Sequence, residues 1–250
     1  MRLSIAGAFG VFLAFFVPGL ASSAPLAHIQ ARVVLEGQAL GRSLANQEIF
    51  LGAWEDGSKI RADLLNPEGA PTRSAIVRKD LGKLYLIEHK DQAYQEMAYP
   101  PPPDVIDYGK IPVLSTLLRF GLFKKATVTL QEVSGTQLIK NYRCSGYKMD
   151  IAEGRNKINA EIWANTQITA DKLFGLEPAV IVSLAPKDYQ GLVRQVLEVY
   201  TKIEGFPVEA SMKASATRLA GGSLGWELIS YDRTKAPLGA YDPPKGYAVK

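Results

Sequence analysis

Short runs with an apolar residue at every second position recur along this chain, and turn-forming residues separate them. In residues 126–131, Ala126, Val128 and Leu130 share one face while the polar side chains between them share the other, which is the period of a half-exposed strand. The 22 glycines and 15 prolines interrupt such runs repeatedly. The pattern predicts a mostly antiparallel sheet whose consecutive strands are joined by short connections.

Two hairpins are predicted in the first half of the chain. Asp56 and Gly57 lie between residues 47–54 and 58–65, and an Asp-Gly pair readily adopts the positive φ angles of a tight hairpin turn. A second hairpin is predicted around residues 80–83. Its two strands and the later predicted strands are residues 74–79, 84–88, 137–141, 145–152, 157–164, 207–215 and 224–231.

Several of the predicted strands are apolar on both faces, as in residues 49–54. Such a sheet has to be covered on both faces, by helices or by its own curvature. One covering helix is predicted over residues 187–203, because their apolar residues fall on one stripe and Pro186 is suited to the first turn of a helix. Residues 113–123 predict a shorter helix, entered through the stiff proline-rich segment 99–103. We expect this helix to be either a fixed part of the core or a movable cover of a cavity.

The beginning of the chain has the pattern of a secretory signal peptide. Arg2 precedes an apolar run over residues 3–17, and helix-breaking and small residues follow it. The run is shorter than the ~20 residues that a membrane-spanning helix needs, which favours a cleaved signal peptide over an anchor. We expect cleavage after Ala21 or Ser23.

Composition then limits the classes of protein. With residues 1–21 assigned to the signal peptide, residues 22–250 are enough for a single domain with a well-buried core. The formal net charge is +4, but basic and acidic residues are interleaved, so no nucleic-acid surface is predicted and membrane contact is at most peripheral. Cys144, the single cysteine, excludes an intramolecular disulfide and is expected to be buried and unreactive.

No catalytic or metal-binding constellation is found in the sequence. Residues 221–225 match the G-x-S-x-G pattern around Ser223, but a strand is predicted after them where the nucleophile elbow needs a helix. His28 and His89 both precede Ser223, and their spacing does not fit a zinc site. We interpret residues 221–225 as a hairpin turn, and we expect a protein that is not an enzyme and that uses no metal or cofactor.

The remaining candidate for function is apolar surface. The large side chains in question form either ordinary core or the lining of a cavity for an apolar ligand, and the sequence leaves both interpretations open. The candidate ligand-binding residues are Phe50, Trp54, Leu117, Leu118, Leu130, Trp163 and Trp226.

A series of short motifs in this order resembles the LolA/LolB/RseB-like superfamily of exported bacterial envelope proteins. The motifs are DGSKIR at 56–61, IVRKD at 76–80, LYLI at 84–87, YRCSGY at 142–147, EIWA at 161–164, EGFP at 204–207 and PPKGY at 243–247. The resemblance implies a single LolA-like half-barrel domain of the α+β class. In it, a mostly antiparallel, strongly curved sheet forms an unclosed β-barrel, and helices cover its concave face.

The same resemblance implies a function. A non-enzymatic periplasmic carrier is expected, with a lipid or an acylated, lipoprotein-like ligand held in the apolar concavity of a monomer. Because the chain is longer than the small carriers of the superfamily, apolar-ligand binding carries over more directly than lipoprotein transfer. The alternative is an envelope interaction or sensor module that regulates a protein partner, with ordinary core in place of the cavity.

Overall fold

A computed structural model describes residues 26–39, 42–105, 118–171, 176–216 and 220–250. The predicted signal peptide lies outside these residues. Of the helix predicted over residues 113–123, only residues 118–123 are described.

Twelve strands form one sheet. They are β1 (Ala27–Ala39), β2 (Arg42–Asp56), β3 (Lys59–Leu65), β4 (Pro71–Arg78), β5 (Lys83–Glu88), β6 (Ala93–Ala98), β7 (Thr127–Ile139), β8 (Tyr142–Glu153), β9 (Asn156–Asn165), β10 (Phe206–Ala216), β11 (Ala220–Asp232) and β12 (Ala248–Val249). Their order across the sheet is β12-β6-β5-β4-β3-β2-β1-β11-β10-β9-β8-β7. The predicted hairpin at Gly57 and the one at Gly82 are both present, and each glycine has a positive φ.

The sheet consists of two antiparallel meanders, β1 to β6 and β7 to β11. The long pairing of β1 with β11 joins them, from His28 opposite Asp232 to Ala39 opposite Ala220. The two ends of the order, β7 and β12, are not neighbours, so the sheet is unclosed. The predicted fold class is confirmed as a mostly antiparallel, curved and open barrel-like sheet with two short helices among the described residues.

One of the two helices packs on a face of this sheet, which we call the helix-covered face, and the other packs on that helix. They are α1 (Pro178–Leu184) and α2 (Gln190–Tyr200), and a 3-10 turn over Lys187–Tyr189 leads into α2. The helix predicted over residues 187–203 is thereby confirmed over residues 187–200, with its first turn wound more tightly than an α-helix, whereas residues 201–203 form a turn. Neither helix of the described part of the chain is long and apolar enough to cross a membrane.

The main core lies between α2 and the helix-covered face of the central strands. Period-two alternation puts the buried side chains of five strands into one continuous row, and burial of each large apolar side chain contributes about 1.5–3 kcal/mol. The row consists of Val33, Trp226, Ala210, Ile162 and Tyr147.

The opposite face of β4 to β6 is also apolar, and the C-terminal segment over residues 233–250 covers it. Tyr241 and Tyr247 pack against the buried side chains of Ile76, Tyr85 and Ile87. The segment ends in β12, which pairs in parallel with β6. We call this side the tail-covered face. Both apolar faces predicted from the sequence are therefore covered, one by helices and the other by the end of the chain.

Two local predictions were wrong. Residues 137–141 are not a separate strand but the end of β7, which continues through an irregularity between Val133 and Thr136. Gly135, with a φ of 90°, provides the unusual backbone there without a steric penalty. Residues 221–225 are not a hairpin turn but part of β11, where the ladder brings their backbone between β1 and β10.

Candidate functional site

Three rows of side chains cross β2 to β6 on the helix-covered face, each made of residues that lie directly opposite one another in the ladder. The first row is Glu55, Ile60, Val77, Leu84 and Met97; the middle row is Ala53, Ala62, Ala75, Leu86 and Gln95; the third row is Leu51, Leu64, Arg73, Glu88 and Ala93.

The middle row is low because three of its residues are alanines. Ala53, Ala62 and Ala75 end at the Cβ atom, whereas the neighbouring rows carry longer side chains, so the three alanines form a trough. The two outer rows are four residues apart along each strand, which corresponds to roughly 13 Å. Ala62 and Ala75 are only partly buried. We call Ala53, Ala62 and Ala75 the alanine trough; its width and apolar floor suit an extended alkyl chain.

A polar cluster lies beyond the first row, at the end of the same face. The Nζ atom of Lys79 is 2.6 Å from Oε1 of Glu177, and the Tyr99 hydroxyl donates to Oε2 of Glu177 across 2.5 Å. Leu176, the preceding residue, packs on the apolar cluster of the first row. We call Lys79, Tyr99 and Glu177 the Glu177 clasp, because it fastens the segment before α1 to the sheet.

Electrostatics keep the clasp in a single protonation state. Burial works to raise the pKa of Glu177, but the hydrogen bonds from Lys79 and Tyr99 outweigh it and hold that pKa below its ordinary value. Burial first, and then the Glu177 carboxylate, raise the pKa of Tyr99 far above its ordinary value. Tyr99 therefore remains a hydrogen-bond donor and Glu177 an anion near neutral pH.

Glu55 begins the first row and is 2% exposed. Neither of its carboxyl oxygens is in a hydrogen bond within the described part of the chain, although the backbone N–H of Asp171 approaches them. Burial first, and then the negative charge of Asp171, raise the pKa of Glu55 to about 8, against the opposing charge of Lys79. Glu55 is thus a neutral acid at pH 7, enclosed at the end of an apolar row.

The seven candidate ligand residues do not share one face. Trp226 is buried in the main core, its Nε1 donating to the Pro207 carbonyl at 3.2 Å, and Leu130 packs on the same core. Phe50 and Trp54 lie on the opposite face of β2, where the Trp54 ring stacks on His28 with the centroids 3.6 Å apart.

Trp163 also lies on the face opposite the main-core row, on β9. Its ring covers Gly146 so closely that a Cβ atom there would be 2.8 Å from it. Leu118 is partly buried, and Leu117 is outside the described residues. The structure therefore brings Trp226 and Leu130 to the helix-covered side, and ligand binding by the set stays a prediction.

The residues of the trough and the clasp were not among the candidates. Alanine carries no chemical signal in a sequence, and Lys79, Tyr99 and Glu177 are separated by 20 and 78 positions. The period of two in β3 and β4 could have placed Ala62 and Ala75 on one face, but only the strand register shows that they are neighbours.

A second polar cluster fastens the tail to the tail-covered face. Arg61 donates from Nε to both oxygens of Asp63, at 2.8 and 2.9 Å, and from Nη1 to the Ala240 carbonyl at 3.0 Å. The Ser74 hydroxyl donates to Asp63 Oδ1 across 2.5 Å and lies 2.7 Å from Nε2 of His89. Neither Arg61 nor His89 is freely solvated, contrary to the ordinary expectation for such residues in a strand and a turn.

The hydrogen bonds of this cluster indicate which nitrogen of His89 carries the proton. Since Ser74 gives its proton to Asp63, its oxygen accepts from Nε2–H of His89, and Nδ1 is left to accept from the Tyr247 hydroxyl at 3.1 Å. Burial first, and then the nearby Arg61 guanidinium, lower the pKa of His89, which favours this neutral ring. A base that activates a serine must take the serine proton, and here the proton is directed to a carboxylate. The cluster therefore holds the C-terminal segment, residues 233–250, against the sheet.

Replacing Tyr247 by Phe is expected to lower the free energy of unfolding by about 1–2 kcal/mol, because Nδ1 of His89 then loses its donor in a half-buried position. Tyr94 packs on the same aromatic cluster, and no hydrogen bond of its hydroxyl is found among the described residues, so Tyr94→Phe serves as the control and should leave stability unchanged. Urea denaturation of both variants measures the difference. Equal effects of the two substitutions would contradict the fastening role of Tyr247.

The other sequence candidates have ordinary surroundings. Ser223 lies within β11 and donates to Oε2 of Glu36 at 3.3 Å. Cys144 is 0% exposed, and burial raises the pKa of its thiol, as expected for an unreactive cysteine. No group of three or more His, Cys, Asp and Glu residues that could hold a metal ion occurs in the described ranges.

Comparison with known proteins gives structural likeness only. No protein-family model matches the chain, and no curated protein matches it in sequence. Among solved structures, an uncharacterized conserved protein from Thermus thermophilus is 8% identical with a TM-score of 0.39, over 89% of this chain and 90% of its own. A LolA superfamily protein from Nitrosomonas europaea is 8% identical with a TM-score of 0.30, over 94% of this chain and 97% of its own.

A third structure, that of PNGF-II, is 11% identical with a TM-score of 0.32 over 88% of this chain. This chain spans only 30% of the length of PNGF-II. A LolA superfamily protein is thus among the weak structural neighbours of the chain, and membership of that superfamily stays a prediction.

Proposed function

We propose that the protein is a non-enzymatic carrier of the periplasm that binds an alkyl or acyl chain on the helix-covered face of its sheet. The observation that carries the proposal is the alanine trough, a partly buried apolar floor between two rows of larger side chains. Apolar surface removed from water contributes about 25 cal/mol per Å² before the ordering costs of binding. The predicted signal peptide supports the location, and the interleaved charges support a partner that is not a nucleic acid.

The arrangement of buried side chains also supports this function. The first-row cluster of Ile60, Val77 and Leu84 is separate from the main core, although both lie on the helix-covered face. Small satellite clusters beside a main core are common, so the relevant observation is what lies between these two. The partly buried alanines lie between the two clusters, where a ligand chain would join them.

Filling the trough tests the proposal. Ala62→Phe combined with Ala75→Phe is expected to weaken binding of a fluorescent dodecyl probe about tenfold or more, because the new rings occupy the space of the chain. Ala152 is also partly buried but lies on the opposite face of β8, so Ala152→Phe is the matched control and should bind the probe normally.

Native mass spectrometry of the purified protein before and after lipid extraction provides an independent measurement. An extractable lipid or acyl adduct that the double variant lacks would agree with the proposal. Retention of normal probe binding by a folded double variant, or failure of the unsubstituted protein to bind dodecyl chains at all, would contradict it.

A further inference from the structure

The Glu177 clasp is a carboxylate-binding site that the chain itself fills. Both oxygens of Glu177 are bound, one by the Lys79 ammonium at 2.6 Å and the other by the Tyr99 hydroxyl at 2.5 Å. Charge-assisted hydrogen bonds of this kind are about twice as strong as neutral ones. Each donor lies directly after a strand, Lys79 after β4 and Tyr99 after β6, whereas the carboxylate belongs to the segment before α1.

The backbone of each donor residue is held independently of Glu177. The backbone N–H of Lys79 donates to the Ser58 carbonyl at 2.9 Å, and that of Tyr99 donates to the Gly82 carbonyl at 2.9 Å. The Glu177 side chain, in contrast, is 44% exposed. A carboxylate from solution can therefore approach two donor residues whose backbone positions are fixed.

The apolar part of the clasp continues into the trough. Leu176 packs on the first-row cluster, and Ala75 and Leu86 of the middle row pack on the same cluster. Leu176 thus contacts the apolar cluster beside the trough, and Glu177, the next residue, places its carboxylate on Lys79 and Tyr99. The pair resembles an apolar chain that ends in a carboxylate.

Other charges near the site leave this recognition intact. Glu55 faces Lys79 from β2, but with a pKa of about 8 it is neutral at pH 7 and does not compete as an anion. Asp171 acts on Glu55 from the loop after β9. Of these three carboxyl groups, Glu177 is the one that binds Lys79 and Tyr99.

From this geometry we propose that the ligand of the trough is a single-chain carboxylate, such as a free fatty acid, whose head group displaces Glu177 from Lys79 and Tyr99 while its chain takes the place of Leu176. This inference rests on the proposed function and adds the head group to it. Glu177 then acts as an internal competitor that closes the site when no ligand is bound.

The test compares dodecanoate with dodecanol, both below the concentrations at which they form micelles, at pH 7. The unsubstituted protein should bind dodecanoate more tightly than dodecanol. Glu177→Gln removes the competing charge but keeps the shape, and should raise affinity for dodecanoate about tenfold while leaving dodecanol unchanged. Tyr99→Phe and Lys79→Met are tested in the Glu177→Gln background, because in the unsubstituted chain each substitution would weaken the internal competitor as well as the ligand. In that background each should lower affinity for dodecanoate about tenfold with little effect on dodecanol.

Glu96→Gln is the matched control, because Glu96 pairs with Lys83 on the same part of the sheet with both side chains 41% exposed. It should change neither affinity. Circular dichroism identifies any variant that fails to fold, and Tyr99→Phe, which removes one oxygen only, keeps the test valid if Lys79→Met does not fold.

The outcomes separate the two proposals. Equal binding of dodecanoate and dodecanol, unchanged by Glu177→Gln and Tyr99→Phe, would overturn the carboxylate site and leave the apolar carrier intact. Binding of neither compound would overturn both. Preference for dodecanoate that increases in Glu177→Gln and falls again when Tyr99→Phe is added to that variant would establish the site.

Discussion

Glu55→Gln is expected to make the protein more stable than the unsubstituted chain at pH 8, by about 4 kcal/mol, and more stable by only about 1 kcal/mol at pH 5. The pKa of Glu55 is raised from 4.5 to about 8 in the folded protein. Between these values the folded state holds a proton that the unfolded state has lost, so stability falls with rising pH by up to about 1.4 kcal/mol per pH unit. Above pH 8 both states are ionised and the dependence ends.

Glutamine has the shape of the protonated acid and does not titrate, so the variant should lack this dependence. Urea denaturation of both proteins from pH 5 to pH 9 measures it, and the other titrating groups cancel in the comparison. Glu96→Gln, at an exposed ion pair, should give a curve parallel to that of the unsubstituted protein. A Glu55→Gln curve that is parallel as well would show that Glu55 titrates normally.

Gly205→Ala is expected to destabilise the protein by about 3 kcal/mol or more. Gly205 has a φ of +86°, and a Cβ atom there would lie 2.4 Å from both the carbonyl carbon and the oxygen of Asn165. The obstacle is backbone that cannot rotate away. Asn165 is itself fixed, because its side chain donates to the Arg143 carbonyl and accepts from the backbone N–H groups of residues 167 and 168.

Gly191 in α2 is the matched control for this substitution. A Cβ atom at Gly191 meets nothing within 4 Å, and alanine favours a helix over glycine, so Gly191→Ala should raise stability by up to about 1 kcal/mol. Thermal and urea unfolding of the two variants should differ in sign. A Gly205→Ala protein with an unchanged melting temperature would mean that the close approach to Asn165 is not maintained in solution.

The local sequence pattern was enough to predict the elements that are stabilised mainly by neighbouring residues. The hairpin at Asp56 and Gly57 depends on turn chemistry, and the helix at residues 190–200 depends on a stripe of period 3.6, so both are present as predicted. Strand β1 and helix α1 were not predicted. The seven residues of α1 are too few to show a helical period, and Pro178 at its start is the main signal in the sequence.

The candidate site was harder to predict, because its residues carry little signal individually. Aromatic residues were among those predicted to bind the ligand. However, Trp54 and Trp163 lie on the face opposite α2, and the trough is made of alanines. Period-two alternation separates the two faces of a strand, but it does not say which face a helix will cover and which the tail will cover.

Sequence patterns alone predict the mostly antiparallel class, the turns at Gly57 and Gly82, the helix α2 and the burial of Cys144. These follow from the propensities and periodicities of neighbouring residues. The tertiary structure alone decided that β1 pairs with β11, that residues 233–250 cover one face, and that Lys79, Tyr99 and Glu177 meet at the end of the other. Such contacts join positions far apart in the chain, and strand register and packing, which no local pattern encodes, bring them together.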